Sequence, residues 1–106
     1  MAGDHQFAGV KNLFPDDAEE FLSEQSEGTF TLLDVRQPAE YEIGHLPGAT
    51  LIPLPELPES LDVLERDKTV IVYCAVGGRS RMAAQLLANH DFAAVYQLEG
   101  GIEAWE

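Results

Sequence analysis

One cysteine and only six lysines and arginines stand in a chain of 106 residues that carries nineteen aspartates and glutamates. A single thiol excludes an intramolecular disulfide, and it excludes any zinc or iron–sulfur site built from several cysteines. The formal net charge of -13 leaves no broad basic footprint of the kind that nucleic acid or an anionic membrane surface requires. No apolar run approaches the ~20 residues of a membrane-crossing helix. The opening Met1-Ala2-Gly3-Asp4-His5 lacks the basic-then-greasy order of a secretory signal. His5, His45 and His90 are scattered without metal-ligand spacing, so neither a metal nor another cofactor is expected. A lone thiol without a targeting segment fits a reducing cytoplasm. These absences leave open a nucleophilic or redox-active Cys74, and that question decides the function.

What is present suits one domain with its own core. At 45% apolar and 24% charged residues, a chain of this size can bury roughly 65% of its unfolded surface. Pro15, Asp16 and Asp17 open a helix whose stripe of Phe14, Ala18, Phe21 and Leu22 runs until Gly28 stops it. Residues 29–35 read as a strand, and residues 49–52 as a second, short one ended by Pro53. The segment 53–60, with Pro53, Pro55 and Pro58, is expected to be an extended connection, and residues 60–64 to add a helical turn. Residues 69–73 (TVIVY) form the strongest strand, an unbroken apolar run suited to the middle of a parallel sheet. A helix over 80–89 follows, with Met82, Ala83, Leu86 and Leu87 on its inner face. A strand over 95–98, a Gly100-Gly101 break and a helical end through Trp105 complete the chain. Alternating strands and helices predict a three-layer α/β domain with a mostly parallel sheet.

Ligands of open parallel sheets sit at the carboxyl ends of strands. There the strongest strand runs into Cys74, Ala75, Val76, Gly77, Gly78, Arg79 and Ser80, and then a helix. Gly77 and Gly78 let the backbone curl through positive φ so that successive N–H groups converge. Ser80 is a suitable N-cap, and the helix start and Arg79 add positive charge. A thiol held there is expected to be acidic, and the same cradle would hold the oxyanion of a substrate. The bland alternative, Cys74 as a small buried hydrophobe, does not account for the glycines, arginine and serine that follow it.

At this point the chain resembles the rhodanese domain, the sulfurtransferase family. Leu33-Asp34-Val35-Arg36, then Glu40-Tyr41, then Gly44-His45-Leu46-Pro47-Gly48-Ala49 is similar to the family's first signature; the Cys74 loop is the second; and Gly100-Gly101-Ile102-Glu103-Ala104-Trp105 resembles its closing G-G-x-x-x-W. The resemblance implies a single rhodanese-like domain over residues 1–106, with a five-stranded parallel sheet of order 1-5-4-2-3 and helices on both faces. Its first strand would fall near Val10–Leu13. It also implies ping-pong transfer of a sulfane sulfur through a Cys74 persulfide. The donor would be a small sulfur anion, thiosulfate or another persulfide or polysulfide, and the acceptor a thiol such as thioredoxin, glutathione or a protein thiol. Ala75, Val76, Gly77, Gly78, Arg79 and Ser80 would bind the donor. Related phosphatases and arsenate reductases use C-x5-R, whereas Arg79 makes C-x4-R here. A persulfide carrier or partner-binding module without multiple turnover is the alternative. Family members often continue beyond the final tryptophan, so the domain could be a piece of a longer protein.

Four further readings accompany it. Asp34 and Arg36 are possible residues of the substrate mouth, the plainer reading being an Arg36–Glu40 ion pair that orders the turn. His45 is expected to fasten a turn rather than form a dyad with Cys74, and Trp105 to pack on the sheet. The acidic face from Glu19 to Glu27 reads as solvated helix. Arg36, Arg79 and Arg81 are half of all basic residues, and together they are expected to give the loop a locally positive mouth.

Overall fold

The computed structural model describes residues 9–25 and 28–105. In chain order it contains β1 (Val10–Leu13), α1 (Pro15–Glu24), β2 (Phe30–Asp34), α2 (Pro38–Ile43), β3 (Thr50–Leu51), two 3₁₀ turns (Leu54–Glu59 and Leu61–Val63), β4 (Thr69–Tyr73), α3 (Gly78–Asn89), β5 (Ala94–Leu98) and α4 (Gly101–Trp105). All strand pairings are parallel, and the order is β1-β5-β4-β2-β3. The strand at Val10–Leu13 implied by the resemblance is therefore present. Expectations about residues 1–5 and about Glu27 lie outside the described residues. Among the described residues no helix is long and apolar enough to cross a membrane.

Side-chain alternation along the strands builds two cores. Leu33, Val70, Val72, Cys74 and Val95 face α3 and the 3₁₀ turns, where Leu57, Ala83, Ala84 and Leu87 cover them. Leu32, Ile71, Tyr73 and Leu98 face the other way, against Ala18 of α1, Tyr41 of α2 and Ile102 and Trp105 of α4. Each fully buried aliphatic side chain contributes ~1.5–3 kcal/mol. Because β4 lies between β5 and β2, its carboxyl end is flanked on both sides by strand ends. That position is where the site is built.

Several local expectations need correction. Phe14 is the N-cap of α1 and 55% exposed rather than part of the buried stripe. The helix ends at Glu24, where Gln25 turns to extended backbone while its N–H bonds the Leu22 carbonyl, so Gly28 does not stop it. Segment 53–60 is not extended. Its prolines have a φ that suits 3₁₀ geometry equally well, and the N–H groups of Glu56 and Ser60 close on the carbonyls of Pro53 and Leu57. On α3 the buried stripe is Ser80, Ala83, Ala84 and Leu87, spaced three and four apart, so Met82 lies off it and is 66% exposed; the helix also starts at Gly78 instead of residue 80.

Candidate active site

Alternation along β4 sends Cys74 to the α3 side of the sheet. The chain then reverses at Gly77, whose φ of +118 lies in the left-handed region that side chains resist. Gly77 therefore caps α3, and Ser80 is not the N-cap expected from the sequence. As the third residue of the helix, Ser80 instead aims its N–H at the sulfur. The N–H groups of Gly77 and Ser80 donate to Cys74 Sγ over 3.0 and 3.3 Å. The Ser80 hydroxyl lies 3.5 Å from the same sulfur. Burial pushes the Cys74 thiol up, but the Ser80 hydroxyl and the N–H groups of Ser80, Gly77 and Val76 outweigh it and bring the thiol below its ordinary value.

Behind Ser80 stands Gln97, a fully buried residue of β5. The Ser80 hydroxyl can donate its one proton to Gln97 Oε1 at 2.7 Å or to the Gly77 carbonyl at 3.1 Å. Gln97 Nε2 donates to Asn12 Oδ1 and Glu99 Oε1, which fixes Oε1 toward Ser80. Sequence reasoning missed Gln97; a glutamine inside the otherwise apolar run of β5 was the available signal. The rear of the loop is held by α4, whose Ile102 and Glu103 N–H groups donate to the carbonyls of Cys74 (2.8 Å) and Ala75 (3.1 Å). Only glycine fits at Gly101: φ is positive there, and a Cβ would collide with the carbonyls of Cys74 and Ala75.

Cys74 has no exposed surface. A cleft of about 460 Å³ reaches the next residue, Ala75, and is lined also by Arg36, Glu40, Ile43, Ile102 and Trp105; Cys74 itself is not part of its lining. Val76, at the tip of the loop, is 64% exposed. Among the described residues, no group of three or more His, Cys, Asp or Glu side chains could hold a metal.

The arginines do not leave a free positive mouth. Arg79 Nη1 and Nη2 donate to Glu40 Oε1 and Oε2 at 2.8 and 3.0 Å. Arg36 does not pair with Glu40 as the plainer reading had it. Its Nη2 donates to Asp34 Oδ2 at 2.8 Å and to the Gly44 carbonyl, and its Nε and backbone N–H donate to Asp34 Oδ1. The fully buried Asp34 carboxylate needs a full counter-charge nearby, and Arg36 is two residues away. Asp34 therefore lies sealed beneath the mouth while Arg36 lines the cleft. Arg81 Nη2 meets Glu99 Oε2 at 3.2 Å. His45 stacks on Tyr41 with ring centres 3.7 Å apart, and its Nδ1 lies 2.9 Å from the Tyr41 carbonyl, which fastens the turn after α2. Trp105 is partly buried against the sheet.

The sequence pattern of the rhodanese-like domain matches residues 17–106. The chain belongs to the rhodanese-like domain family. It is 42% identical over 74 residues to uncharacterized protein YqhL of Bacillus subtilis (strain 168), covering 70% of this chain and 59% of that protein. Its identity with the probable adenylyltransferase/sulfurtransferase MoeZ of Mycobacterium tuberculosis (strain CDC 1551 / Oshkosh) is 42% over 76 residues, 70% of this chain and 19% of that one. The rhodanese-like chain thus spans less than two thirds of either curated relative. A crystal structure of a rhodanese-related protein from Thermoplasma volcanium superposes with a TM-score of 0.79 at 35% identity, over 90% of this chain and 89% of the other.

Proposed function

We propose that this rhodanese-like domain is a sulfurtransferase that carries a sulfane sulfur on Cys74 between a sulfur donor and a thiol acceptor. The observation that carries this reading is the set of N–H groups closing on Cys74 Sγ at the carboxyl end of β4. They favour the thiolate, which is the nucleophile. With thiosulfate, the thiolate attacks the outer sulfur, the S–S bond of the donor breaks, and sulfite leaves with the electron pair. The new sulfur stays bonded to Sγ as a persulfide. An acceptor thiolate then attacks that outer sulfur, and the Cys74 thiolate is the leaving group. Loop amides that face Sγ in the resting protein can shift their donation to the loaded sulfur, so charge is met by N–H dipoles throughout. The name of the Mycobacterium tuberculosis relative includes a sulfurtransferase, which accords with this chemistry.

The enclosed sulfur supports a second reading, a domain that holds a persulfide for a partner without multiple turnover. Steady-state turnover with a thiol acceptor such as thioredoxin separates the two. Incubation with sulfane donors should add one sulfur mass to the intact protein, and Cys74→Ala should lose that adduct completely. Absence of an adduct with every donor tried rejects both readings. The cytoplasm, with its reduced thiols, is the compartment we infer for this activity.

A further inference from the structure

The bidentate Arg79–Glu40 pair crosses from the reactive loop to α2 at the edge of the cleft. Arg79 is the one full positive charge that the loop itself contributes, and its charged form is stabilised first by the Glu40 carboxylate and, to a smaller extent, by the nearby Cys74. Both guanidinium nitrogens that point toward α2 are already taken by the two Glu40 oxygens. The neighbouring cations are no freer, since Arg36 holds Asp34 and Arg81 holds Glu99. Exposed Glu103 adds further negative charge to the lining of the same cleft. A dianion arriving at this mouth meets neutralised arginines on a chain of net charge -13. The amides around Sγ are dipoles already spent in part on the thiolate.

We propose that Glu40 selects the class of sulfur donor: by neutralising Arg79 it makes Cys74 take sulfur from persulfides, whose reacting end carries at most one negative charge, in preference to dianionic thiosulfate. This rests on the sulfurtransferase reading above and names its donor. In the loading step the Cys74 thiolate attacks the terminal sulfur of R–S–SH. The Sγ–S bond forms as the donor S–S bond breaks, the electron pair leaves on RS⁻, and RS⁻ takes the persulfide proton. The products are the Cys74 persulfide anion and R–SH, with no other oxidant or reductant needed. The exposed Ile43 in the lining of the cleft, with Val76 exposed on the reactive loop, suits an organic group R better than a sulfonate.

Intact-mass loading rates of the full chain with glutathione persulfide and with thiosulfate test this. The unaltered protein should favour the persulfide. Glu40→Gln retains an oxygen that can accept the Gln37 N–H and so cap α2, but it removes the charge. It should raise the thiosulfate-to-persulfide rate ratio by on the order of tenfold or more. In the double variant Glu40→Gln with Arg79→Gln, that gain should vanish. An unchanged ratio in Glu40→Gln, a gain that survives in the double variant, or a preference of the unaltered protein for thiosulfate overturns the assignment while leaving the sulfurtransferase reading intact. Loading by neither donor overturns the assignment, and absence of an adduct with every further sulfane donor overturns the sulfurtransferase reading as well.

Discussion

Two neighbouring strands end in groups that can carry negative charge, and the fold treats them in opposite ways. Asp34 closes β2 and stands in register with Tyr73, the last residue of β4; Cys74 is the next residue along. Both are fully buried. Asp34 is met by the Arg36 guanidinium and by the Tyr73 hydroxyl, which donates to it at 2.8 Å. Burial and the Asp34 carboxylate hold the Tyr73 phenol well above its usual range, so it remains a donor. Cys74 is met by backbone N–H groups and one serine hydroxyl. A full counter-charge with several bonds fixes an anion in place. Peptide dipoles favour the anion as well, but they can follow its charge to a new atom during a reaction. One strand end is a rivet and its neighbour is a nucleophile.

Removing each group should separate stability from chemistry. Cys74→Ala should abolish sulfur loading while changing the free energy of unfolding by no more than about 1–2 kcal/mol, a small buried truncation. Asp34→Ala should do the reverse in kind. It leaves Arg36 buried without its partner and should cost about 3–5 kcal/mol in urea unfolding, with loading preserved in whatever fraction stays folded. If Asp34→Ala stopped loading at unchanged stability, the contrast between the two strand ends would collapse.

A smaller effect sharpens the description of the thiol. Gln97→Leu removes the nearer of the two acceptors that compete with sulfur for the Ser80 hydroxyl proton and leaves the Gly77 carbonyl at 3.1 Å, so that proton turns to Sγ more of the time. One redirected hydrogen bond is worth ~1 kcal/mol. The pH profile of Cys74 alkylation should move to lower pH, with less than about a tenfold gain in thiolate near neutrality. A shift to higher pH, or loss of stability with no shift, would reduce Gln97 to packing.

The smallest effect concerns Glu40. Hydrogen bonding from Arg79 is the main cause that lowers its carboxyl from 4.5 to about 2. A depressed carboxyl stabilises the folded state in full above its unfolded value and loses that contribution as pH falls toward the folded one. About a third of the side chain is exposed, so the pair should contribute no more than ~1 kcal/mol. The difference in urea midpoint between the protein and Glu40→Gln should hold steady above pH 4.5 and shrink between pH 4.5 and about 2. A difference that fades as pH rises instead would mean Arg79 and Glu40 are not paired in solution.

Much of this was legible in the chain, and the rest was hidden for identifiable reasons. TVIVY announces β4 because a central parallel strand is apolar on both faces. VKNL does not announce β1, since an edge strand has two polar residues exposed or half-exposed between Val10 and Leu13; only the family resemblance pointed to it. The loop was readable because Cys74, the glycines and Ser80 act on one another within seven residues. Ser80 suits an N-cap by type, yet Gly77, free to adopt positive φ, caps the helix three residues earlier. The ion pairs are not legible in the sequence because charge partners are chosen in space. Arg79 and Glu40 are 39 positions apart, and no periodicity links them. Gln97 reaches Ser80 across 17 positions for the same reason.

The short helix α4 grips the peptide that bears the sulfur through two hydrogen bonds, and Gly101 leaves no slack between them. Helix α4 and the reactive atom are thus one mechanical piece. Anything tethered beyond Trp105 would pull on that peptide through a single helical turn. Traction or docking at that end would reach the thiol with almost no intervening structure to absorb it.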